Sequence, residues 1–98
     1  MDLVQIGKFI AQLRKEHEFS QEKLGEILGV TNKTISRWET GTYLPPAEML
    51  LSMSNLFDVS INEILSGKRL TQDEYKIAAE ENLRRVVKTI EIELDASR

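Results

Sequence analysis

Residues 20–41 read SQEKLGEILGVTNKTISRWETG, and this stretch decides the fold. Ser20 is a helix-capping residue, and Leu24, Ile27 and Leu28 behind it fall at helical spacing, which predicts a short helix carrying those three inward. Gly29 breaks the pattern where a left-handed turn is needed. Thr31 then caps a second helix that buries Ile35 and Trp38 and stops at Gly41. The reading is therefore two short helices joined through a glycine turn within 22 residues.

Working outward, the chain keeps a period near 3.6. Leu3, Ile6, Ile10 and Leu13 form the apolar stripe of a first helix, which ends in the charged run Arg14-Lys15-Glu16-His17-Glu18. On the other side, Pro46 suits the first turn of a fourth helix with Leu50, Met53, Leu56 and Phe57 on one face. Ser60-Ile61-Asn62-Glu63 is a capping box for a fifth helix that Gly67 ends. Five short helices with tight connections predict an all-α bundle over residues 1–68. Residues 69–98 read as a separate C-terminal association element. Thr71-Gln72-Asp73-Glu74 is a second capping box, and Leu83, Val87, Ile90 and Leu94 make a narrow stripe with Val86 beside it. Ile90-Glu91-Ile92-Glu93-Leu94 also alternates as a half-buried strand would. Glu and Lys are weak strand formers, so the expectation is a helical tail.

Composition removes several function classes. With no cysteine and one histidine, disulfide scaffolds, thiol catalysis and multi-histidine metal sites are excluded. No apolar run exceeds three residues, too short for a membrane span or signal-peptide core. The net charge of −3 gives no bulk attraction to nucleic acid, so any such role needs a local patch. No nucleophile–base pair, phosphate-cradling glycine loop or metal constellation is visible; neither an enzyme nor a cofactor is expected.

The layout of residues 20–41 is that of a helix-turn-helix, whose second helix lies in the DNA major groove. The stretch strongly resembles the Cro-like phage repressor family, also called the XRE family. The flanks LRKEHEF and LPPAEMLLSMSNLFDVSINEILSG are similar to its first, fourth and fifth helices. The resemblance covers about residues 3 to 67. Gly25 stands where a small residue is expected because the two helices cross closely. Glu18 departs from the pattern, since the family often closes its first helix with glycine.

With Ile35 and Trp38 inward, Asn32, Lys33, Ser36 and Arg37 share the opposite face. Arg or Lys can donate to guanine O6 and N7, and Asn can bond adenine N6 and N7, so these four are the candidate base readers. Lys33, Arg37 and Glu39 leave residues 31–43 with a net charge of +1, a thin patch that points to modest affinity per monomer. The resemblance places backbone contacts at Gln21, at the head of the second helix, and at Thr40, Thr42 and Tyr43 after the third; Thr31 and Thr34 join them as candidates. It also implies that Glu39, which would otherwise repel phosphate, pairs with Arg14 on the first helix. Trp38 reads as core, and His17 as a solvated surface residue.

The function these residues predict is a sequence-specific DNA-binding transcriptional regulator, chiefly a repressor, acting as a homodimer on a palindromic double-stranded operator. The resemblance implies a bacterial or phage cytoplasm. Leu83, Val86, Val87, Ile90 and Leu94 are the candidate dimerisation residues, because residues 71–98 carry a net charge of −2, the wrong sign for phosphate. The alternative is an antitoxin whose tail neutralises a toxin partner.

Overall fold

Each helix begins at a residue the sequence supplies for that purpose. The structure, a computed structural model, describes the backbone of residues 1–96 and the side chains of residues 1–81, 83, 84, 87 and 88. Its helices are α1 (Leu3–Glu16), α2 (Gln21–Leu28), α3 (Asn32–Glu39), α4 (Ala47–Phe57), α5 (Ile61–Ser66) and α6 (Gln72–Ala96). No strand occurs among the described residues. Asp2 caps α1 by accepting from the Gln5 amide at 3.1 Å, and Ser20 caps α2 by accepting from Lys23 at 2.9 Å. Ser60 and Glu63 exchange two hydrogen bonds of 3.0 Å at the head of α5. Thr71 and Glu74 do the same at α6, at 3.2 and 3.3 Å. These contacts satisfy amide donors that a helix start leaves without partners. Pro46 sits at the cap of α4, one position before the helix proper.

The core is built around α1. Ile6, Phe9, Ile10 and Leu13 meet Leu24, Ile35 and Trp38 on one side, and Leu50, Met53, Phe57, Val59 and Ile64 on the other. Ile27 is a correction to the inward stripe expected of α2: it is 43% exposed. In so short a helix the buried edge is centred on Leu24, Gly25 and Leu28, and Ile27 lies well over 90° from that centre. His17 is exposed, in keeping with a surface position. Its Nδ1 lies 2.9 Å from the Leu13 carbonyl oxygen, and its ring centre lies 5.0 Å from that of Phe57.

The tail is helical through residues 90–94, where the alternating pattern had offered a strand. Side-chain contacts fix its root. The Leu70 amide donates to Glu63 at 2.9 Å, Arg69 makes two bonds of 2.7 and 3.0 Å to Glu16, and the Tyr75 hydroxyl donates to Ser60. Further along, Ile77, Leu83 and Val87 are 57%, 64% and 45% exposed. The side chains of Val86, Ile90 and Leu94 lie outside the described residues. Among the described residues no helix is long and apolar enough to cross a membrane.

Candidate nucleic-acid interface

The turn between α2 and α3 sets the angle at which α3 is presented. Gly29 adopts φ +74°, the left-handed region that glycine enters without steric cost, and the Val30 amide donates back to Gly25 at 2.9 Å. A Cβ at Gly25 would stand 2.6 Å from the Val30 carbonyl oxygen. Small size at Gly25 thus matters because the turn's own backbone folds against α2. From there Thr31 caps α3 by accepting from the Thr34 amide at 3.2 Å. Ile35 is fully buried and Trp38 nearly so. Burying two such side chains contributes on the order of 3–6 kcal/mol toward holding α3 against α1.

With that face committed, Asn32, Lys33 and Arg37 stand exposed and Ser36 is half-buried beside them. Neither Lys33 nor Arg37 makes an ion pair among the described residues. The remaining candidates line the ends of the helix. Thr34 is half-buried, its hydroxyl 3.0 Å from that of Thr31. The Thr40 hydroxyl donates to the Arg37 carbonyl at 3.3 Å and lies 3.0 Å from the Thr42 hydroxyl. Tyr43 projects with 59% of its surface open. Gln21, at the head of α2, directs its side-chain amide to Glu39 at 3.1 Å.

Glu39 is the acidic residue of α3, and it is turned away from the open face. Arg14 donates to its two oxygens from Nε at 2.7 Å and Nη2 at 3.0 Å, and from Nη1 to the Phe19 carbonyl at 2.9 Å. Only 12% of the Arg14 side chain and 7% of the Glu39 side chain reach solvent. The hydrogen bonds to Glu39 push the Arg14 pKa further up, so the cation is permanent. One planar guanidinium thereby ties α1, the α1–α2 turn and the end of α3 together.

Gly7 belongs to the same construction, and spacing and charge gave no reason to select it. A Cβ there would lie 2.5 Å from the carbonyl oxygens of both Trp38 and Glu39, so α3 ends directly on the α1 backbone. An isolated glycine inside a helix costs about 1 kcal/mol against alanine, and that oddity was the available signal.

A recognition helix packed through one face, presented by a glycine turn and stripped of free negative charge, defines a helix-turn-helix protein. A family model described as Helix-turn-helix matches residues 10–64, and the chain belongs to that family, in its Cro-like (XRE) form. The chain is similar to the HTH-type transcriptional activator BcrR of Enterococcus faecalis, 39% identical over 67 residues, which are 68% of this chain and 33% of BcrR. It is similar also to the HTH-type transcriptional regulator YobD of Bacillus subtilis, 30% identical over 86 residues, 88% of this chain and 74% of YobD. The chain thus spans a third of one relative and about three quarters of the other. Among solved structures, the c2 repressor of Salmonella phage P22 in complex with a synthetic operator superposes with a TM-score of 0.61 at 35% identity. That match covers 64% of this chain and 96% of the repressor chain.

Proposed function

We propose that the chain is a sequence-specific DNA-binding transcriptional regulator that inserts α3 into the major groove. The observation that carries this is the division of α3 into two faces. Ile35 and Trp38 are buried, Glu39 is sequestered by Arg14, and Asn32, Lys33 and Arg37 are left open, their side-chain donors without partners among the described residues. Asn32, Lys33, Ser36 and Arg37 read base edges; Gln21, Thr31, Thr34, Thr40, Thr42 and Tyr43 lie along the flanking phosphates. The likeness to a repressor solved with its operator supports this reading, and it supports repression over an enzymatic role. The regulator works in the cytoplasm as a homodimer joined through α6. Pairing of two heads compensates for the small positive charge on each.

The test is selection of bound duplexes from a random-sequence pool, followed by binding of the selected site to the Arg37→Ala variant. The variant should lose about 1–3 kcal/mol of specific affinity per half-site and accept other bases at one position of each half-site. A uniform loss on all sequences would reduce Arg37 to a phosphate contact. Failure to enrich any sequence would overturn the reading.

A further inference from the structure

Beside the end of α3, α1 and the head of α2 frame a shallow groove of about 730 Å³. Lys8, Gln12 and Lys15 line it from α1, and Gln21 and Thr40 close its other side. Lys8 and Lys15 are two helical turns apart on one face of α1, about 10 Å along the axis. Two carboxylates, Glu16 and Glu39, also border the groove. Each is already taken by an arginine and an amide. Arg14 and Gln21 hold Glu39, while Arg69 and Gln12 hold Glu16, the Gln12 amide at 3.0 Å. Arg69, and after it Gln12, draws the Glu16 pKa down to about 2, so this carboxylate is neutralised by pairing and never by protonation at working pH. Lys8 and Lys15 make no ion pair among the described residues. With both carboxylates matched, the groove carries two uncompensated positive charges on a chain whose net charge is negative.

We infer that this groove binds backbone phosphates of the duplex, so that α1, through Lys8 and Lys15, extends the DNA contact beyond the helix-turn-helix. The inference rests on the DNA-binding reading and deepens it. Thr40 shares the groove and directly follows α3, so a duplex lying along α3 passes its sugar–phosphate strand over this surface. Arg69 is a positioning residue: it comes from the connector to α6, and its task is to keep Glu16 from repelling the strand.

The full chain is titrated with a random-sequence duplex of about 24 base pairs between about 50 and 200 mM NaCl, a range over which phosphate contacts dominate. Lys8→Gln and Lys15→Gln should each make the slope of log affinity against log salt shallower by about one per bound protomer, about two for the homodimer, on this duplex and on a selected site alike. Lys76→Gln, a charge-matched change on α6, should leave the slope unaltered. Arg69→Gln should weaken binding, and adding Glu16→Gln to it should restore most of the loss. Unchanged slopes in both lysine variants would overturn the groove assignment, as would an equal change with Lys76→Gln or a failure of Glu16→Gln to rescue. Inorganic phosphate that shifts the Lys8 and Lys15 resonances of the wild-type chain, when both lysine variants keep normal slopes, would assign the groove to a free anion and also overturn it. A wild-type chain that binds no duplex defeats the DNA-binding reading itself, a result distinct from all of these.

Discussion

Arg14 holds two separate segments against α1. Its guanidinium meets both oxygens of Glu39 on α3 and the carbonyl of Phe19 in the α1–α2 turn. Removing it in Arg14→Ala strands a carboxylate that is 93% screened from water, with the Gln21 amide as its one remaining side-chain partner among the described residues. Leaving a mostly buried charge unpaired costs several kcal/mol, and partial exposure reduces that here to about 2–3 kcal/mol. Urea unfolding should show that loss, and Arg14→Lys should recover only part of it, since an ammonium cannot make the two parallel bonds. A variant as stable as the wild type would show the pair to be incidental. Glu18 belongs to the same scale. Its φ of +59° is the left-handed position where the family often has glycine, so the departure changes the residue and leaves the turn intact. The Phe19 and Glu18 amides still donate back to Arg14 and Lys15, at 3.1 and 3.0 Å.

At the scale of elements, the decisive contact is α1 against the end of α3. Gly7 lets the Trp38 and Glu39 carbonyls rest on the α1 backbone, and those oxygens cannot move aside as a flexible side chain would. Gly7→Ala gains helix propensity of up to about 1 kcal/mol, yet overpacking should outweigh it and give a net loss of about 1–2 kcal/mol. Thermal unfolding measures the balance; a stabilised variant would mean that α3 does not sit this close. This scale also shows what the sequence made legible. The starts of α2, α3, α5 and α6 were readable because a cap is a local signal: the hydroxyl and the amide it serves are three residues apart. The facing of Ile27 was not, because eight residues of helix fit more than one core direction and only the packed bundle selects among them. Neither Gly7 nor the Lys8–Lys15 groove was legible. Both depend on residues 25 or more positions away arriving beside α1.

For the molecule as a whole, the bundle and α6 differ in how their apolar side chains are used. Most of those of α1 through α5 close on one core, with Val4, Ile27 and Leu51 the exposed exceptions, whereas Ile77, Leu83 and Val87 of α6 all face outward in a molecule 54 Å long. Leu83 and Val87, one turn apart, place two exposed apolar side chains on one face of a projecting helix, which is the kind of surface a protein interface covers. Under the dimer reading, Leu83→Glu with Val87→Glu should convert the full chain from dimer to monomer in sedimentation, and its unfolding temperature should fall to a value that no longer depends on protein concentration, because the stability contributed by the dimer is lost. A variant that remains a tight dimer would move the interface elsewhere. Dimerisation matters because two recognition helices must lie about one helical turn, 34 Å, apart to read two half-sites. Methylation protection on a selected duplex tests the central claim, that the open face of α3 reads bases in the major groove, most directly. Dimethyl sulfate attacks guanine N7 in the major groove and adenine N3 in the minor groove. The account predicts protection of guanine N7 in two clusters about 34 Å apart, lost at one position of each cluster in Arg37→Ala. Protection confined to adenine N3, or N7 protection that Arg37→Ala leaves unchanged, would contradict it.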